Sequence, residues 1–264
     1  MKENQKECKI YIGTSGYSYK DWVGPVYPKD ALPKDYLSYY SKDFDFVELN
    51  FSYYAQPKAL MIKSLLNRTG KDFIFCIKAH QTLTHRIQST LELDAQQFIR
   101  GIDPLMNSSR LAAILFQFPY SFHYTTENRK HMDKLCQLFK GFPMAVEFRN
   151  TDWEKDSVIE AFREKEVCYV NVDEPPLPKL PKPDSRVTSS FSYIRFHGRN
   201  KRNWWKGNNT SRYDYLYTDE ELSDWIDRIK EIVQKVKILL IAFNNHFKGQ
   251  AVKNARQLKE ILKT

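Results

Sequence analysis

The segment LAAILFQF, residues 111–118, holds one polar residue in eight, Gln117. Alternating polarity would mark a strand wetted on one face. Unbroken apolarity marks one covered on both, as in a parallel sheet lying under helices. Seven more runs of this kind recur: KIYIGT (9–14), FDFVEL (44–49), DFIFCIKA (72–79), PMAVEF (143–148), VCYVNV (167–172), SYIRFH (192–197) and VKILLIAF (236–243). Between most of them, apolar residues repeat at helical spacing, over 58–66, 94–106, 127–139, 156–164, 219–234 and 250–262. Pro33 opens a further helical segment, 33–41, where proline suits the first turn. Thr218 and Glu221 form a T-x-x-E capping pattern at the head of 219–234.

Eight strand-then-helix units in 264 residues predict one α/β domain, a (β/α)8 TIM barrel of parallel strands over residues 1–264, with 1–8 as an N-terminal tail. A doubly wound open sheet is the alternative. If it bound a dinucleotide it would carry G-x-G-x-x-G after the first strand, and Gly13-Thr14-Ser15-Gly16 does not match. Two stretches break the rhythm. Residues 174–190 contain Pro175, Pro176, Pro178, Pro181 and Pro183 and read as an extended loop. Residues 198–217 form a long basic and aromatic loop after the seventh strand, and neither stretch has the apolar content of a second domain.

A hydrophobic fraction of 42% supports a sizeable core, and 41 Lys+Arg against 32 Asp+Glu gives a net charge of +9. That surplus favours anionic partners and solubility and says nothing about fold. The four cysteines are far apart, with no C-x-x-C and no zinc spacing, and Cys76 and Cys168 sit in apolar runs as core residues do. The start, MKENQKECKI, lacks the apolar stretch of a signal peptide. No run approaches the ~18 apolar residues of a membrane span. The expectation is a cytoplasmic protein with reduced thiols and no membrane partner.

In a barrel, chemistry sits where strands meet the following loops. Polar residues gather at those ends, often two apart and therefore on one strand face: Glu48 with Asn50, Lys78 with His80, Glu147 with Arg149, Asn171 with Asp173, Arg195 with His197. Gln117 and the Asn244-Asn245-His246 run complete the set, which is expected to converge on one cavity. Lys78, Arg149 and Arg195 would make a cationic floor for phosphate or carboxylate. Asn50, Gln117, Asn244 and Asn245 would add hydrogen bonds to the substrate. Glu147, or failing that Glu48, would be the base, and His197 or His80 the acid. The plain alternative is a salt-bridged mouth in which Glu48 and Glu147 only neutralise the cations.

Those cations argue against a glycosidase on a neutral sugar, although two carboxylates are present. No motif calls for a cofactor. A divalent metal on Glu48, Glu147, His197 or His246 stays open, without H-E-x-x-H or H-x-x-x-H to support it. His85 and His123 lie further out, and His131 reads as a helix-surface residue. There is no G-x-S-x-G elbow at Ser15 and no P-loop. In the loop 198–217, Arg199, Lys201, Arg202, Lys206 and Arg212 alternate with Trp204, Trp205 and Tyr213. That mixture suits a phosphate-bearing substrate or single-stranded nucleic acid.

Three functions follow. The first is an acid/base enzyme (hydrolase, lyase or isomerase) on an anionic small molecule. The second is a nucleic-acid binder or nuclease using the basic aromatic loop. The third is a noncatalytic sensor of an anionic metabolite. Tyr17, Tyr19 and Trp22, after a turn permitted by Gly13 and Gly16, are expected to form an aromatic wall with Tyr53 and Tyr54. A hydrophobic lid is the alternative reading of the same residues.

The ordered segments GTSGYSYKDWVGPVYP, FVELNFSYYAQP, FIFCIKAHQTLTH, LFQFPYSF, AVEFRNTDW, YIRFHGR and FNNHFKGQAVKNARQL together resemble the YecE-like family, domain of unknown function 72. The resemblance spans nearly the whole chain. It implies a TIM barrel and brings no assigned activity. Tyr17, where the family pattern has Trp, and Phe51-Ser52, where it has small polar residues, depart from it.

Overall fold

Among the described residues, nine parallel strands stand where the apolar runs predict eight. They are β1 (Lys9–Ser15), β2 (Phe46–Leu49), β3 (Ile74–Lys78), β4 (Leu111–Gln117), β5 (Met144–Glu147), β6 (Cys168–Tyr169), β7 (Asn171–Asp173), β8 (Phe191–Phe196) and β9 (Ile238–Phe243). The structure is a computed structural model that describes residues 7–86, 88–208 and 210–263. Residues 1–6 of the expected tail and Asn209 of the basic loop lie outside the described residues.

The strands pair in the order β6-β5-β4-β3-β2-β1-β9-β8-β7. The two ends of this sheet are neighbours in the chain, so it forms a nearly closed barrel. The sixth run, 167–172, divides at Val170 because it changes partner there. β6 pairs with β5, and Val170 N–H donates to Val146 O at 2.9 Å. The next residue, Asn171, is already in register with Ile194 of β8. Residues 174–190, without helix or strand as their prolines predict, fill the seam. Thr188 Oγ1 accepts from Tyr169 N–H at 2.8 Å and donates to Val167 O at 2.6 Å. The Asn171 side chain exchanges hydrogen bonds of 2.9 and 3.0 Å with the Arg186 backbone.

Strand alternation sorts the core into two layers. Phe46, Cys76, Ala113, Leu115, Ala145, Cys168, Val172, Tyr193, Leu240 and Ala242 fill the barrel interior. Val47, Phe75, Ile77, Ile114, Phe116, Val146, Ile194, Phe196, Leu239 and Ile241 face the surrounding helices. The inner row runs on into polar residues at the strand ends, which puts Glu48, Lys78, Gln117, Glu147 and Arg195 on the interior face.

The helices Asp156–Glu164 and Gln250–Leu262 match their predicted limits. The expected helix 219–234 is two, Asp219–Ser223 and Ile226–Val233. Its break falls at Trp225, whose indole N–H reaches Asp173 Oδ2 at 2.8 Å. The Thr218 capping box forms with both of its hydrogen bonds. His131 is a correction: it is buried on the helix Thr126–Leu138, and its Nε2 lies 2.8 Å from Leu83 O. Among the described residues, no helix is long and apolar enough to cross a membrane.

Helix Leu91–Asn107 lies against the chain entering helix Ala59–Leu66, with Gly101 at the contact. A Cβ at Gly101 would fall 2.1 Å from Pro57 O. Alanine normally gains about 1 kcal/mol over glycine in a helix. Here forcing the backbones apart outweighs that gain, so Gly101→Ala is expected to destabilise the protein by about 2 kcal/mol. A urea midpoint equal to or above that of the parent would contradict this close contact.

Candidate active site

At the open end of the barrel, side chains from four strands meet around one guanidinium. Arg195 on β8 donates from Nε to Glu48 Oε2 at 2.8 Å and from Nη2 to Glu48 Oε1 at 2.7 Å. Its Nη1 donates to Glu147 Oε2 at 2.5 Å. Glu48 also accepts hydrogen bonds from the Ser15 hydroxyl and, at 2.5 Å, from Tyr193 OH. The other Glu147 oxygen lies 2.5 Å from Arg149 Nε and 3.2 Å from His197 Nε2. Arg149 in turn donates to Glu174 Oε2 at 3.2 Å.

Above this network opens a cavity of about 890 Å³, within the range of small-molecule sites. Lys78, Arg149, Arg195 and Glu48 reach its floor, with Asn50, Gln117 and Asn244 between them. Tyr17 and Tyr19 from the first loop and Tyr53 and Tyr54 from the second line one side. The basic loop supplies Trp204, Trp205, Arg212 and Tyr213 to the other. Gly16 makes the turn of the first loop at φ +86°, whereas Gly13 is needed for close approach, since a Cβ there would lie 2.2 Å from Phe46 O.

The remaining expected site residues take other places. Trp22 is fully buried, and its Nε1 donates to His246 O at 2.7 Å, so it backs the wall. The Tyr19 ring, stacked on His246 at 4.5 Å, forms the surface in front of it. Asn245 points outward and ties Tyr215 O and Asn254 Oδ1 together, both at 2.8 Å. His80 caps the helix Gln81–Thr84, its Nδ1 accepting from Thr82 N–H. Asn171 and Asp173 do share a strand face, but Val172 takes the inner one. Asp173 therefore holds the base of the basic loop, receiving Arg199 at 2.7 and 2.9 Å and Tyr217 OH at 2.7 Å. His85, expected to lie further out, is a correction: it lines the cavity. Glu174, buried behind Arg149, was not among the expected site residues. Glu174 opens the proline-rich loop, where no periodicity flags it. No group of three or more His, Cys, Asp or Glu suited to a metal ion occurs among the described residues.

Proton affinities separate the floor from its support. Burial opposes ionisation of Glu147, but Arg149 and Arg195 outweigh it and hold the carboxyl well below the usual range. Burial pushes Glu174 up to about 8, with Arg149 opposing. Burial, then Arg195, lowers Lys78 to about 8. Burial, then Lys78 and Arg149, lowers His85 to about 4. His197 falls to about 3 through burial and Arg149. Its Nδ1 lies 3.1 Å from Asn244 Nδ2 and 3.5 Å from Arg149 Nη2, which leaves the ring proton on Nε2, toward Glu147.

The folded chain thus keeps His197 neutral, while the unfolded chain protonates it near pH 6.5. Its contribution is complete above that pH and declines as acid is added, by about 2 kcal/mol down to about pH 5. His197→Gln should remove this part of the acid sensitivity in urea denaturation compared at the two pH values. An unchanged slope would contradict the neutral assignment.

The chain and its fold have counterparts among known proteins. A family model described as protein of unknown function DUF72 matches residues 11–264. The chain is 33% identical over 269 residues to the UPF0759 protein YunF of Bacillus subtilis (strain 168), covering 96% of this chain and 94% of that protein. It is 30% identical over 115 residues to the UPF0759 protein YecE of Escherichia coli (strain K12), over 43% of this chain and 39% of that one. The crystal structure of a DUF72 family protein from Thermotoga maritima MSB8 matches with a TM-score of 0.90 at 38% identity, covering 97% of this chain and 100% of that chain. One from Enterococcus faecalis V583 gives 0.86 at 27% identity, over 97% and 96%. The resemblance read from the ordered motifs is borne out: the chain belongs to the DUF72 family.

Proposed function

We propose that the chain is an enzyme that works by acid/base chemistry on an anionic substrate, bearing phosphate or carboxylate, at the barrel mouth. One observation carries this reading. Lys78, Arg149 and Arg195 border a single aromatic-walled cavity, and Lys78 makes no ion pair among the described residues. Taking β6 and β7 as one interrupted strand gives an eight-unit barrel, whose mouth is where such folds carry chemistry. The four cysteines are free, in accord with the cytoplasmic setting this reading assumes.

Roles follow from access. Arg149, 11% exposed at its side chain, presents a guanidinium edge to the substrate's anionic group. Glu147 was expected as the base, but both its oxygens face cations and it does not line the cavity. It is better suited to fixing Arg149 and Arg195. Glu48, held by Ser15, Tyr193 and Arg195, does the same for the floor. Proton transfer falls instead to Lys78, whose affinity lies near the working pH.

Arg149→Ala is expected to weaken phosphate binding about 10–100-fold in calorimetry, the loss of a charge-assisted contact. Wild-type protein that binds no member of a panel of phosphorylated and carboxylated metabolites would overturn the reading. Tight binding with no turnover of any of them would favour a sensor.

A second reading, single-stranded nucleic acid, has one observation in its favour. Trp205 is 51% exposed at the rim, edge-on to Tyr120 at 4.8 Å, beside exposed Lys201, Arg202 and Lys206. Stacking of one base is worth about 1–3 kcal/mol. On this reading Trp205→Ala weakens oligothymidine binding about 5–100-fold by fluorescence anisotropy. Wild-type affinity should also fall steeply with salt. No binding at low salt would remove this reading.

A further inference from the structure

Lys78 differs from every other cation on the floor. Arg195 is paired with Glu48 and Glu147, and Arg149 with Glu147 and Glu174. Lys78, two residues beyond inward-facing Cys76, instead places Nζ 2.8 Å from Gln117 Oε1 and 4.6 Å from the centre of the Tyr53 ring. Gln117 is fixed in turn, its Nε2 donating to Phe118 O at 2.7 Å, so its carbonyl oxygen faces the amine. A carbonyl accepts from an amine in either protonation state. It therefore orients Nζ with a weaker preference for the charged form than a carboxylate would impose.

From this placement we propose that Lys78 forms a Schiff base with an aldehyde or ketone that also carries a carboxylate or phosphate. The inference rests on the anionic-substrate reading and names its substrate class. The anionic group would sit on Arg149, leaving the carbonyl carbon to the amine. The charged groups acting on Lys78 are Arg149 and Arg195, which disfavour its protonation, and Glu48 and Glu147, which favour it. His85, the nearby titratable ring on the cavity wall, stays neutral at working pH. With burial the amine settles near 8, so roughly a tenth of it is unprotonated at neutral pH. A desolvated lysine beside other cations is the usual form of an amine nucleophile.

The step balances without a co-reactant. The Nζ lone pair forms a bond to the carbonyl carbon, and the π pair of the carbonyl moves to its oxygen. One amine proton transfers to that oxygen, giving a carbinolamine. The hydroxyl then leaves with the second amine proton as water, and the nitrogen lone pair completes the C=N bond.

The full chain is incubated with pyruvate, or with glyceraldehyde 3-phosphate, in the presence of cyanoborohydride, and the adduct is mapped by intact mass and peptide analysis. The expected result is one reduced adduct per chain, on the peptide carrying Lys78, diminished by excess inorganic phosphate and absent in Lys78→Arg. Which probe reacts separates a carboxylate from a phosphate substrate. No adduct with either probe, or labelling spread over surface lysines without preference for Lys78, overturns the proposal. Mapping on the wild-type chain gives the answer even if Lys78→Arg fails to fold. Calorimetry with the panel of phosphorylated and carboxylated metabolites separates the two levels: binding without an adduct overturns the Schiff base alone, and neither overturns both.

Discussion

The structure turns on a guanidinium held in the barrel interior between two carboxylates. Arg195 is 2% exposed, and Glu48 and Glu147 are fully buried. Removing such ions from water costs several kcal/mol each, and only close, well-directed pairing offsets that cost. Here the pairing draws on β1 through Ser15, β2 through Glu48, β5 through Glu147, and β8 through Tyr193 and Arg195. Strands far apart in sequence are thereby fixed at one level. That level is the floor of the cavity.

This arrangement separates charges that serve the scaffold from charges that face the cavity. Glu48 and Glu147 are engaged by protein donors and cations, and Arg195 is committed to both. Arg149 faces both ways, with Glu147 and Glu174 behind it and the cavity and the Trp204 ring in front. The basic loop divides likewise. Arg199 is drawn into Asp173 with Tyr217 and Trp225, whereas Arg212 lies over Trp204 at the cavity edge. A formal surplus of +9 thus does not say which cations face the cavity, because several of the arginines support the fold.

The strand pattern was legible because an unbroken apolar run is a local property of the chain, and so is the alternation of side chains along it. Extending the inner row by two residues correctly brought Glu48, Lys78, Glu147 and Arg195 together. The same rule could not say which face of 167–172 turns inward, and Asn171 and Asp173 landed outside. Sequence also could not show that Trp22 backs Tyr19, because both are aromatic and only packing ranks them. Nor could it show how far the two carboxylates would be engaged by cations of the barrel. Hydrogen-bond saturation depends on partners more than a hundred residues away, as with Glu48 and Arg195. His131 was misread for a related reason: the polar side chain hid a buried contact to a distant carbonyl.

The break at Val170 has an effect on colloidal behaviour. Any interruption in a ring of strands creates two edges, and an edge with unpaired amides is a template for another molecule's strand. Thr188 occupies the Tyr169 amide and Asn171 grips Arg186, so those edges are already occupied. The covering segment carries five prolines, which have no N–H to offer a ladder. The junction is thereby covered by a strip of chain in which five positions offer no amide to a foreign strand.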